Sequence, residues 1–134
     1  MPPSGAPCSV PHMSFEPDAL QALVQRYLDT CVNGTAADVA ALYTEDATLE
    51  DPVGGGEVHI GRQAIAGFYK LMESGEIKTE LLTFRAGGNE AAFVFAVTVG
   101  TSMRIEPIEV MTFDGDGKIT SMKSYWGPQN ITQL

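Results

Sequence analysis

Cysteine is scarce in this chain of 134 residues: only Cys8 and Cys31, with no Cys-x-x-Cys pair and no Cys/His spacing that suits a metal. Two cysteines do not make a disulfide framework, so a reducing, cytoplasmic setting is expected, and the Asn-x-Thr sequons at Asn33 and Asn130 carry no weight there. Positive charge is scarce too. Eight Lys and Arg face 17 Asp and Glu, a net charge of −9. Such a chain repels phosphate backbones and anionic lipid surfaces, which argues against nucleic acid and membranes as partners. No apolar run approaches the length of a membrane span. The start lacks the charged and apolar regions of a secretory signal. Gly54-Gly55-Gly56 lacks the Lys-Ser/Thr end of a phosphate loop. Asp114-Gly115-Asp116 begins like a calcium loop, but the glutamate position holds Tyr125. His59 has no second histidine near it, so no metal is expected.

Apolar residues are plentiful, at 44%, against 19% charged. A chain of this size and composition can bury a core and forms one domain. Residues 1–12 are rich in Pro, Gly and Ser, and His12-Met13 is the dipeptide a common cloning site encodes at a start codon. They read as a leader or a flexible tail, leaving residues 13–134 as the folded domain.

Hydrophobic period lays out the elements. Leu20, Leu23, Val24, Tyr27, Leu28 and Cys31 form one stripe of a helix over Phe15–Asn33, opened by Pro17 and stopped by Asn33-Gly34. Thr35 caps a second short helix running to about Tyr43, with Asp38 at its third position. Gly61–Met72 is a third helix, carrying Ile65, Phe68 and Tyr69. Strands follow the alternating pattern: Ala47–Asp51, Ile77–Arg85, Ala91–Gly100, Arg104–Phe113 and Ile119–Trp126. Asp114–Gly117 joins the last two as a hairpin, and Ala91–Val99, apolar almost throughout, is a central strand covered on both sides. Helices followed by an antiparallel meander predict an α+β domain with helices on one face of a curved sheet.

Four residues carry candidate chemistry. Tyr27 lies within an apolar stripe: it is either a core tyrosine tied to a carbonyl or a donor aimed into a pocket. Asp51 is in phase with Ala47 and Leu49, hence on the apolar side, while Glu50 faces solvent; the other reading is a turn-initiating aspartate before Pro52. Glu109 alternates with Met111 and Phe113. It is either an edge-strand glutamate exposed near Pro107 or a carboxyl kept neutral by desolvation. Trp126, in phase with Met122, is core packing or the apolar wall of a ligand site. Cys31 faces the core, where a thiol is inert.

Several stretches together resemble the steroid Δ5-isomerases, or ketosteroid isomerases. They are Gln25-Arg26-Tyr27, the run from Tyr43 to Gly54 with its Asp-Ala-Thr-Leu-Glu-Asp-Pro core, and Ala66-Gly67-Phe68-Tyr69. Asn89–Phe93, Glu106-Pro107-Ile108-Glu109 and Ser121–Trp126 complete the set, in order, between Ala19 and Ile131. The resemblance implies the NTF2-like cone, in which three N-terminal helices pack on a strongly curved, mostly antiparallel sheet. It also implies a cofactor-independent isomerase acting on 3-oxo-Δ5 steroids, and a homodimer. By the same resemblance Asp51 stands at the general base, Tyr27 at the oxyanion-hole tyrosine, and Glu109 where the family usually has a protonated aspartic acid. Tyr43 and Tyr69 match tyrosines that support the oxyanion tyrosine. Trp126 and Met111 match apolar pocket positions, and Phe113 and Val99 are expected beside them.

Glu109 departs from the family by one methylene, which bears on how well it reaches an oxyanion. It donates only when protonated, and keeping a glutamic acid neutral at neutral pH takes roughly 4 kcal/mol of differential solvation. Full burial supplies that; half exposure does not. Two other readings share the fold: an apolar-ligand binding protein with little chemistry, and a cyclase or epoxide hydrolase. The last needs a charged Asp/Arg/Asp set; Arg62, Arg85 and Arg104 are available, but none lies in an evident pocket phase.

Overall fold

The computed structural model describes residues 15–73 and 75–134. The leader expected over residues 1–12, with Cys8 in it, lies outside the described residues.

Helix α1 (Pro17–Asn33) forms where the stripe predicts it, burying Leu20, Val24, Tyr27 and Leu28. Pro17 suits its first turn, whose N–H groups lack intrahelical partners anyway. Gly34 closes it, its N–H donating to the Thr30 carbonyl at 2.7 Å. Helix α2 (Ala36–Ala40) begins on a full capping box: Thr35 Oγ1 accepts from the Asp38 N–H, and the Asp38 carboxylate accepts from the Thr35 N–H. It stops three residues short of the predicted end, because Tyr43 is drawn into strand β1 (Tyr43–Glu50) opposite Ile119. Strand β2 (Val58–Ile60) turns back along β1, and helix α3 (Arg62–Lys70) follows. The remaining strands are β3 (Ile77–Gly87), β4 (Glu90–Val99), β5 (Met103–Ile105), β6 (Ile108–Phe113), β7 (Ile119–Tyr125) and, after a 3₁₀ turn at Pro128–Asn130, β8 (Ile131–Gln133).

All eight strands form one curved mixed sheet in the order β2-β1-β7-β6-β4-β5-β8, with β3 on β4. Among the described residues only β1 and β7 run parallel; every other pair is antiparallel. The predicted single strand Arg104–Phe113 is two strands. Pro107 has no N–H to give to a ladder, and its carbonyl instead accepts from Phe95 at 3.3 Å. The break lets β4 pair with β6 through Val94 and with β5 from Val97 onward. The hairpin at Asp114–Gly117 forms as predicted, with Asp114 Oδ1 accepting from the Asp116 and Lys118 N–H groups at 2.9 Å.

Helix α1 lies on β3 and β4, α3 on β1 and β2, and α2 against α3. Between helices and sheet sits the core, from Leu20 and Val24 through Leu49 and Ile65 to Phe93, Met111, Phe113 and Met122. Strand β4 is central as predicted, but its two faces are covered unequally. Ala91, Phe93 and Phe95 are buried, while Ala92 on the other face is exposed and Val94 half-buried.

Candidate active site

Sheet register builds the site in rows. Leu49, Met122 and Met111 lie side by side across β1, β7 and β6, all fully buried. Side chains repeat on a face every second residue. The next row on that face is therefore Asp51, Ser124 and Glu109, Glu109 being the direct cross-strand partner of Ser124. Asp51 is held there because the loop beyond β1 is pinned to β7, the Val53 N–H donating to the Ser124 carbonyl at 2.8 Å. The edge-strand reading of Glu109 is overturned: β6 lies between β4 and β7, and Glu109 is 2% exposed.

Above this row opens a cavity of about 440 Å³ between helices and sheet. Its walls are mainly apolar, including Leu28, Phe68, Phe95, Val97, Val99 and Trp126. Tyr27, Tyr69, Asp51, Glu109 and Ser124 face into it. Other hollows lie beside α1 and α2, between α2 and α3, and over Val94, Ile108 and Tyr125 on the outer face of the sheet; Asp51, Glu109 and Tyr27 line none of these.

Three tyrosines from three elements form a chain of hydroxyls. The Tyr69 hydroxyl lies 2.7 Å from that of Tyr27 and 2.7 Å from that of Tyr43. Arg62 secures the near end of β1 by donating from Nε and Nη2 to the Tyr43 carbonyl at 3.1 and 2.6 Å. Burial pushes all three phenols well above their ordinary range, so each stays protonated. The alternative for Tyr27, a bond to a backbone carbonyl, is not what forms.

The two carboxyls are treated differently. Burial raises Glu109 well above the usual carboxylate range, and the charge of Asp51 pushes the same way. Asp51 is also raised by desolvation, but it is only partly buried and has help in holding its charge. Trp126 Nε1 donates to its Oδ1 at 2.7 Å, and His59 and the Ser124 hydroxyl act in the same sense. Burial thus favours the neutral form of Glu109, while Asp51 keeps polar support for its charge.

The structure brings together Tyr27, Tyr43, Tyr69, Asp51, Glu109, Trp126 and Val99. Met111 and Phe113 do not line the cavity; they lie in deeper rows of the same face, in the core. Cys31 lines the cavity wall rather than the closed core, and burial pushes its thiol up to about 12, which keeps it inert. Ser124 was missed as a site residue. Its phase with Met122 and Trp126 was the available signal, but its neighbours on β1 and β6 follow only from the register. Arg62 is engaged with Tyr43, Arg85 with the Phe84 carbonyl at 2.7 Å and Arg104 with Glu106 at 3.0 Å; none lines the cavity. Among the described residues, no three His, Cys, Asp or Glu side chains gather as a metal site requires, and no helix is long and apolar enough to cross a membrane.

Known proteins resemble this chain over most of its length. Residues 24–122 match the SnoaL-like domain family. A steroid Delta-isomerase of Nocardioides simplex is 50% identical over 115 residues, covering 84% of this chain and 93% of that protein. Among solved structures, SalBIII, an epoxide hydrolase/cyclase-like enzyme of pyran ring formation in the polyether salinomycin, superposes with a TM-score of 0.81 at 28% identity. That match covers 87% of this chain and 97% of SalBIII.

Proposed function

The chain belongs to the steroid Δ-isomerases within the SnoaL-like, NTF2-like family, and we propose that it converts 3-oxo-Δ5 steroids to their conjugated 3-oxo-Δ4 isomers. The observation that carries this reading is one apolar cavity in which the Asp51 carboxyl with its Trp126 hydrogen bond, the fully enclosed Glu109 carboxyl and the Tyr27 phenol converge.

In this mechanism Asp51, ionised, removes the proton from the carbon between the carbonyl and the double bond. The electron pair moves into the carbonyl, giving a dienolate. Tyr27 and protonated Glu109 donate hydrogen bonds to its oxygen, where charge develops. Asp51 then returns the same proton at the γ carbon, which moves the double bond into conjugation. The carbonyl is the electron sink, so the cycle needs no cofactor. Opposed protonation states in neighbouring carboxyls are the established logic of ketosteroid isomerases, a worked case of acidity tuned by environment. Tyr43 and Tyr69 orient the phenol: when Tyr43 donates to Tyr69 and Tyr69 to Tyr27, the Tyr27 hydrogen is left for the substrate. Val99, Trp126 and the other apolar walls hold the steroid rings by removing them from water.

The reading extends to assembly and setting. Val94, Ile108 and Tyr125 lie side by side on the outward face of β4, β6 and β7, with Ile108 47% and Tyr125 44% exposed. A second copy of this chain covers that row in the proposed homodimer. The free Cys31 thiol suits a reducing cytoplasm.

The test is turnover of a β,γ-unsaturated ketosteroid, followed by the ultraviolet absorbance of the conjugated enone. Wild-type protein produces the enone, and Asp51→Asn does so far more slowly. Tight binding of a steroid enone without turnover would make the protein an apolar-ligand binder instead. The hydrolase reading is weakened by the engagement of Arg62, Arg85 and Arg104 outside the cavity.

A further inference from the structure

Two polar atoms of the cavity row are fully buried and lack a hydrogen-bond partner among the described residues: Glu109 Oε1 and Ser124 Oγ. They belong to residues directly opposite one another on β6 and β7, with side chains on the same face. Such orphaned pairs are uncommon in protein interiors, and a hydroxyl hydrogen turns freely to meet an acceptor beside it. Asp51, on the other side of Ser124, is the competing acceptor for this hydroxyl, but it already receives the Trp126 N–H and is partly open to solvent. Among the described residues Oε1 of Glu109 has no other donor. Glutamate also has one more rotatable bond than aspartate, so its carboxyl needs an anchor if it is to present a proton in a fixed direction.

Building on the isomerase reading, we propose that Ser124 is a positioning residue for Glu109. Its hydroxyl donates to Oε1, so that the proton of the neutral acid stands on the other oxygen and points at the developing oxyanion. Ser124 touches no reacting atom; it acts through Glu109. Its hydroxyl also favours the ionised form of the acid it serves, so removing it makes Glu109 harder to ionise. The groups that face Glu109 are Asp51 beyond β1, Tyr43 at its start, Tyr27 and Cys31 on α1, and Tyr69 on α3; of these Asp51 alone is charged at neutral pH in the mechanism above.

Infrared spectroscopy of the whole protein tests this without relying on turnover. The wild type shows the carbonyl stretch of a protonated carboxyl at neutral pH, and Glu109→Gln removes it. In Ser124→Ala that band moves to higher frequency, and in Ser124→Thr it returns towards the wild-type position. Ser124→Cys, similar in size and a poor donor, gives the shifted band if the alanine variant does not fold. In the enone assay Ser124→Ala lowers kcat about tenfold, the order expected for one hydrogen bond, with KM within about twofold and the basic limb of the pH profile moved upward. A band unmoved in both Ser124→Ala and Ser124→Cys, or no Glu109 carboxyl band in the wild type, overturns the proposal. A band that moves in a protein that does not turn over the ketosteroid sustains the Ser124–Glu109 bond and sinks the isomerase reading instead.

Discussion

At the scale of single residues, the site rests on burial dividing two acids that are near neighbours. Asp51 keeps the Trp126 N–H and partial solvent, whereas Glu109 is enclosed. If Asp51 is the base, Asp51→Asn lowers kcat by about 10²–10⁴-fold, the usual worth of a general base. Tyr27→Phe removes one oxyanion donor and costs about 10²–10³-fold. Glu109→Ala is the mildest of the three, since Tyr27 remains; the enone assay ranks them. The acidity of Glu109 also reaches stability. Its folded form holds a proton that the unfolded chain releases in the ordinary glutamate range, because burial raises it. Its contribution is therefore complete below that range and is lost as pH rises through the folded value. Denaturant unfolding at several pH values should show wild type losing this component towards alkaline pH, and Glu109→Gln lacking that dependence.

At the scale of elements, the site depends on where α3 and β1 begin. Gly61 caps α3 at φ +92° and ψ 153°, a region essentially confined to glycine. Its N–H donates to the Ala47 carbonyl at 2.8 Å, so the same residue ties α3, and with it Tyr69, to β1. Gly61→Ala should cost about 1–3 kcal/mol of stability, read as a lower denaturation midpoint with unchanged denaturant slope. Strong local signals made most elements legible: the stripe of α1, the Thr35/Asp38 cap, and the Asp-Gly-Asp-Gly hairpin. Failures occurred where pairing partners decided. Tyr43 left the helix for the ladder with Ile119, and β2 and β8, three residues each, exist only as partners of β1 and β5. Period 2 put Asp51 on the inward face, but both phases of the strand around Glu109 carry apolar residues, so the face of Glu109 was decided only by its pairing with Ser124. Periodicity could not say which inward residues line a cavity and which lie deeper, which is why Met111 and Phe113 were expected at the wall.

For the whole molecule, the sheet leaves one face less covered than the other. The helices cover the inner face, and Val94, Ile108 and Tyr125 remain on the outer one. If a second copy covers them, sedimentation at several concentrations gives a dimer, and Ile108→Lys, which buries a charge in the contact, shifts it towards monomer. A phenolic steroid bound in the cavity should raise the melting temperature in proportion to the logarithm of its concentration above Kd.

The chain order alone determined the α+β class, the helical stripe, the inward phase of Asp51 and the scarcity of positive charge, because each follows from local periodicity or composition. Only the tertiary structure decided that Asp51, Ser124 and Glu109 form one row, that three tyrosines from distant segments join their hydroxyls, and that one acid is dry while the other is not. Strand register and burial set those facts, and both are properties of segments far apart in sequence that come together only in the fold.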